Sequence, residues 1–434
     1  MCWPKSSEFY YDNKKIVGCG RIAKATLGES ATSVMRENVK REIVTHHALR
    51  ITCLASRAAL AARHFHPYRR AVARAASNAF PFTRYRPIVA IYPLRLKPKL
   101  DHRLWGGQRL ARWLGLPEPL PDDLAEIWLV YAENPILNGP LAGKTLGEAA
   151  RELGEGLLGS QSIPRYDRDF PQLAKFIDAN DRLSIQVHPD DAYAHTVEAH
   201  TGFHGKTEAW YILHAEPGAT LIYGLKRPSS REEFARAVAE GWLEELVHYL
   251  PVQTGDVIFV PAGTLHAINE GILLFEIQQK SDLTYRVYDY NRRGPDGKLR
   301  ELHLEKALDV IRYEPPAQEK IPPIALEPDR DLLVACPYFA LERHRLAQAR
   351  AYATRPTSFD AWTVIEGAAT VAGERLALGQ SIVLPAHLGD YLIEPEGTAT
   401  LLRTYYPDLD ADLIGPLHWL GYSDERIAQT VKSA

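Results

Sequence analysis

Cysteine and methionine are scarce, four and two in 434 residues. No two cysteines form a CxxC pair, which argues against both a disulfide framework and a cysteine-held zinc. Three of the four fall in the first 88 residues; Cys336 stands alone beyond them, as fits a reducing cytoplasm. No run approaches the roughly 18 apolar residues that a membrane helix needs, so no membrane partner is expected. A convincing Gly-rich nucleotide loop is also missing. Net charge is small, −3, but uneven: residues 1–88 hold 16 Lys+Arg against 5 Asp+Glu, the rest 35 against 49. An acidic body lacks the basic footprint of general nucleic-acid binding, though a local basic cluster can still hold a phosphorylated sugar. Apolar and charged fractions of 46% and 24% are those of an ordinary soluble protein, long enough for about two or three domains.

Residues 1–88 read differently from the rest. They contain both methionines and an Ala/Arg stretch, Ala48 to Ala76, without one acidic residue. Arg-rich, acid-poor composition is that of an organelle transit peptide, but Glu8, Asp12, Glu29, Glu37 and Glu42 speak against it. A basic nucleic-acid arm is a second reading. The segment is expected to be a basic extension, disordered or upstream of the native start, with Val89 in the place of a non-ATG initiator.

The chemistry concentrates between Leu183 and Tyr290. In Leu183-Ser184-Ile185-Gln186-Val187-His188 the strand alternation puts Ser184, Gln186 and His188 on one face, and Pro189 ends the ladder. Gly205-Lys206-Thr207-Glu208-Ala209-Trp210 brings Glu208 onto a second strand. Gly255 to Ile268 runs an apolar strand into a Pro/Gly turn with His266 after it. Two imidazoles and a carboxylate suit a borderline divalent ion with an open position left for water or substrate. Glutamine is an unusual ligand, so Gln186 is the weakest of the four. A lone strand histidine is more often a hydrogen-bonded core residue; two histidines and a glutamate beside turn signals favour a metal. Spacing leaves zinc, iron and manganese open.

Pro261-x-Gly263-x-x-His266 resembles the second metal motif of the cupin barrel. Gln186-Val187-His188-Pro189-Asp190-Asp191, Gly205-Lys206-Thr207-Glu208-Ala209-Trp210-Tyr211 and the run Glu276 to Tyr290 closely resemble type I mannose-6-phosphate isomerase in its short bacterial form. Leu104-Trp105-Gly106-Gly107 and Asn138 to Leu146 fit the same family. The resemblance is strong from about Ile91 to Val310 and weak beyond. It implies a mainly β fold: a cupin-type jelly-roll barrel with a small helical insert, and a second, degenerate cupin-like barrel. It also implies interconversion of mannose 6-phosphate and fructose 6-phosphate with one divalent ion, zinc by preference, on Gln186, His188, Glu208 and His266. The substrate partner is then a phosphorylated hexose, and the chain a monomer or weak homo-oligomer.

Moving a proton between C2 and C1 needs a base near neutral pH and relief of negative charge on oxygen. Glu276 is the expected base, pointing inward beside Gln278. The resemblance assigns a catalytic role to Arg286, whose planar fork would clamp an enediolate oxygen. Lys206 shares a strand face with Glu208 and is a candidate substrate contact. Ser184 and Arg292 are candidates for the phosphate, one by hydrogen bond and one by charge. Two other readings stand beside this one: an iron-dependent cupin oxygenase, and a non-catalytic sugar-phosphate-binding cupin.

The expected domains are 89–315 for the metal barrel, 316–406 for the second barrel and 407–434 for a helical tail, with Pro315-Pro316 and Pro322-Pro323 marking the linker. Thr145-x-x-Glu148 and Ser230-x-x-Glu233 read as capping boxes opening helices to Leu153 and Glu240. The second helix and a further helical turn form the insert near 230–250, which either roofs the site or covers a surface. Asp296-Gly297 signals a hairpin. In the second barrel Asp390-Tyr391 stands where His266 would recur, and no glutamate–histidine cluster is expected there, so its role would be structural.

Overall fold

The computed structural model describes residues 91–294 and 297–433; the expectations for residues 1–88 and Asp296 lie outside these. The fold is mainly β and its strand pairs within sheets are antiparallel. A six-stranded sheet runs in the order Lys99–Gly107, Leu124–Val130, Gln172–Ala179, Ile272–Gln279, Glu208–Ala215, Val257–Val260. Its partner is a five-stranded sheet of Tyr285–Tyr288, Ile185–Val187, His266–Ile268, Thr220–Leu225 and Val247–Pro251. Leu221, Tyr223 and Ile268 of the small sheet pack on Ile177, Trp210, Ile258 and Leu274 of the large one, closing a barrel. A seven-stranded and a four-stranded sheet make a second barrel around Trp362, Val364, Ile382 and Leu401.

Side chains alternate across each strand, and in the central strands of the six-stranded sheet, Leu124–Val130, Gln172–Ala179 and Ile272–Gln279, both faces are buried. In Ile272–Gln279, Leu274, Glu276 and Gln278 look into the first barrel. Leu273, Phe275 and Ile277 look outward into a core shared with Leu333, Phe339, Leu341 and Leu402 of the second. The two barrels therefore have one continuous hydrophobic seam. The chain also crosses it early, since Leu94–Arg95 pairs with Ser381–Leu384 of the seven-stranded sheet.

The sequence signals for helices are realised locally. Thr145 and Glu148 form a reciprocal capping box on Leu146–Leu153, and Ser230 caps Arg231–Glu240 by accepting from the Glu233 amide. That second helix does not roof the cavity. Phe234 and Ala237 are buried with Ile185, Val187, Ile222 and Val287 on the outer face of the five-stranded sheet, so the insert backs the sheet instead. Its apolar positions are three apart and make one face, which the sheet's own apolar outer face covers. Helical turns at Leu409–Ile414, Gly415–Trp419 and Asp424–Ala428 make up the tail.

The second barrel corrects one expectation. Glu342 and His344 are both fully buried and 2.9 Å apart, so a glutamate–histidine cluster does exist there. It is closed by its own chain: Glu342 accepts both arms of Arg330 and the Tyr405 hydroxyl, Arg403 lies 3.5 Å off, and the other His344 nitrogen meets Tyr352. Arg330 and Arg403, on the strands flanking Phe339–Leu346 on either side, supply the positive charge, and strand pairing brought them together without any local sequence motif.

Candidate active site

Three donors meet at the floor of the first barrel. His188 and His266 have ring centroids 4.8 Å apart, and Glu208 lies 3.5 Å from Nε2 of one and 3.3 Å from Nε2 of the other. Strand pairing dictates this: His266 is directly opposite Gln186 in register, and Gln186 opposite Arg286, a row across the five-stranded sheet. Across the barrel, Gln278 pairs with Glu208 and Glu276 with both Trp210 and Lys175.

The imidazoles are pre-set as ligands. His188 Nδ1 donates to the Leu283 carbonyl and His266 Nδ1 to the Thr264 carbonyl, each at 2.9 Å, which leaves both Nε2 lone pairs pointing inward. Burial, with the Lys206 ammonium adding to it, holds His188 well below the usual imidazole range; burial brings His266 down to about 4. Both are therefore neutral near pH 7, the form that binds metal. The Gln186 amide nitrogen lies 3.3 Å from His266 Nε2, and turning the amide over puts its carbonyl oxygen at the same point. The Glu208 carboxylate is only 1% exposed and its Oε2 accepts no hydrogen bond of good geometry. A buried nitrogen–nitrogen–carboxylate set of this kind fits a borderline divalent ion. Lys206 competes for the same atoms, with its Nζ 3.0 Å from His188 Nε2 and 2.8 Å from Glu208 Oε2.

Above this floor opens a cavity of about 400 Å³, whose wall includes Gln186, Lys206, Ser184, Arg286, Glu276 and Lys175. Like Lys206, Lys175 is a buried cation of the wall. Its ammonium is 3.1 Å from Glu126 and 3.3 Å from Glu276; burial disfavours its charge, but those two carboxylates and Glu208 more than restore it and its pKa is raised. Trp128 donates to Glu126 and Trp210 to Glu276, fixing both carboxylates. Arg286 donates through Nε to Ser184 at 3.3 Å and through Nη1 to the Glu301 carbonyl. Its pKa is lowered, by burial first and then by Arg300, with Arg103 and Arg292 contributing, so several cations face few acids at the mouth.

Trp105 also lines this wall, and the glycines after it have a steric reason. A Cβ on Gly106 would fall 2.3 Å from the Asp123 carbonyl oxygen, and one on Gly107 2.5 Å from the Asn180 Cβ.

Residues 93–219 match the family described as phosphomannose isomerase type I, catalytic domain. Over 301 residues the chain is 36% identical to the mannose-6-phosphate isomerase of Streptococcus mutans, covering 68% of this chain and 92% of that one. The chain belongs to the mannose-6-phosphate isomerase family. The crystal structure of the mannose 6-phosphate isomerase from Bacillus subtilis superposes with a TM-score of 0.64 at 33% identity, over 72% of this chain and 99% of that one. A mannose 6-phosphate isomerase solved in a zinc-bound form shares the fold at 19% identity, with a TM-score of 0.58 over 72% and 99% of the two chains.

For this isomerase-family chain the sequence-derived residues fall into two groups. Gln186, His188, Glu208, His266, Lys206, Glu276, Arg286 and Ser184 are all at the floor or in the wall. Arg292 is not in the wall: it is bound to Asp289 and Asp181 and to the Arg182 carbonyl. Sequence reasoning passed over Lys175, Glu126, Arg103 and Arg300, which do line it. A signal for the first two was available, since a charge inside an otherwise apolar strand is depleted unless it has work there.

Proposed function

We propose that this chain interconverts D-mannose 6-phosphate and D-fructose 6-phosphate, using one zinc ion held by Gln186, His188, Glu208 and His266. The observation that carries the reading is the convergence of two inward-facing, neutral imidazole nitrogens and a buried carboxylate beneath a cavity walled by cations. The donor chemistry supports zinc, as does the zinc-bound relative of the same fold. When bound, the ion supplies a Lewis acid that lowers the cost of negative charge on sugar oxygen.

The chain's own residues do the rest. Glu276 takes the proton from C2 and returns it to C1, with the Trp210 indole and Lys175 ammonium fixing its carboxylate. Arg286, across the barrel, stabilises the enediol oxygens. Lys206 sits between the floor and the cavity and contacts a sugar hydroxyl. The phosphate is held at the mouth by Ser184 with Arg103 and Arg300, while Arg292 acts as a positioning residue through Asp289, which also receives Arg300. The free, buried Cys336 accords with a cytoplasmic location.

Metal analysis paired with a coupled assay for fructose 6-phosphate tests the reading. At least one equivalent of zinc and turnover of mannose 6-phosphate are expected. A fully metal-loaded chain that leaves mannose 6-phosphate unchanged would overturn it.

A further inference from the structure

Among the described residues a second set of donors has the spacing of a metal site: Asp191, His195 and His204, with one ligand atom from each lying within 4.8 Å of the others. None of the three lines the cavity, and none contacts the donors at the barrel floor. Asp191 and His195 stand four apart on the helix Asp191–Thr196, so they share a face; His204 comes from the loop that leads into Lys206 and Glu208.

Two of the three donors are held in place. The His204 ring lies against Tyr166, with centroids 4.4 Å apart, and its backbone carbonyl accepts from the Ser281 hydroxyl at 2.7 Å. Asp191 accepts from the Gly205 amide and from Gln279 through Oδ1 alone, leaving Oδ2 with Arg165 4.0 Å away. His195 Nε2 and His204 Nδ1 face each other at 3.0 Å. Two imidazole nitrogens that close share one proton or hold one ion. Donors of a tetrahedral zinc ion at its usual bond length sit roughly 3.3 Å apart, so the pair already has the required separation.

We propose that Asp191, His195 and His204 form a second, surface site for a divalent cation of the zinc type. Water completes its coordination, and the proton between the two rings leaves to solvent as the ion enters. The bound ion ties the helix to the loop. It also reaches the machinery next door: Gln279, which donates to Asp191, accepts from the amide of Thr207, the residue between Lys206 and Glu208. A site that binds the folded chain and not the unfolded one raises the melting temperature, by an amount that grows with the logarithm of the free ion concentration once the site is filled.

The test is calorimetric titration of the full, holo chain with zinc chloride, comparing wild type with His195→Gln and His204→Gln. His46, His47, His64 and His66 and the three early cysteines are common to all three proteins, so the readout is the difference in equivalents bound. Each variant is expected to bind one equivalent fewer than wild type and to lose the part of the zinc-dependent rise in melting temperature that the site supplies. Equal stoichiometry in all three proteins would overturn the site, and loss in only one variant would overturn the assignment of the other histidine. No turnover is measured, so a negative result leaves the isomerase reading standing.

Discussion

Lys175→Met is the most informative perturbation of the cavity wall. The native ammonium is fully buried, within 3.3 Å of both Glu126 and Glu276, which are 8% and 2% exposed. Methionine keeps the length and apolar stem but leaves two carboxylates facing each other without their cation. Breaking a buried ion pair by removing one partner costs about 3–5 kcal/mol. Urea unfolding followed by tryptophan fluorescence should show this loss as a lowered midpoint. The double variant Lys175→Met/Glu276→Gln should recover part of it, since only one buried carboxylate then lacks its cation. An unchanged midpoint in the single variant, or no recovery in the double variant, would refute the pairing.

Glu276→Gln should lower kcat by about 10²–10⁴ in the coupled assay while the zinc content stays at the wild-type level. Arg103→Ala and Arg300→Ala should each raise KM for mannose 6-phosphate by about 10- to 100-fold, the worth of a hydrogen bond to a charged group, and leave the unphosphorylated sugar nearly unaffected. Cys336, whose thiol burial pushes up to about 12, should escape iodoacetamide at pH 8 in the native chain and react in urea, read by peptide mass mapping. Gly106→Ala should destabilise by about 1–3 kcal/mol, because its methyl meets the Asp123 carbonyl rather than a yielding side chain; an unchanged urea midpoint would contradict that contact.

The parts of the site legible in the sequence are those built from neighbours along the chain. Strand alternation gave Gln186 and His188 a common face, and turn chemistry placed His266 at a strand start, so the donors were readable before any pairing was known. Lys175 and Glu126 stood out only as charges inside apolar strands, and their partners, like the place of Arg103 and Arg300 in the wall, became visible only through pairing. Lys175 stands beside Glu276 because residues 172–179 and 272–279 run antiparallel in register, nearly a hundred positions apart. The Glu342–His344 cluster was hidden for the same reason, since its counter-ions Arg330 and Arg403 reach it from neighbouring strands. Arg292 was misplaced because charge and proximity to a strand end do not fix direction, and Asp289 draws it away from the opening.

A single thickness of polypeptide divides the cavity from the seam with the second barrel. Along Ile272–Gln279 every other position belongs to a different trade: Glu276 to the cavity wall, Phe275 and Ile277 to adhesion between the barrels. The second barrel thus works as a jig that holds the first one's back wall to gauge. A side chain trimmed at Phe339 or Leu341 would be felt as a carboxylate out of line on the far side, so damage to the cavity would begin outside the barrel that contains it.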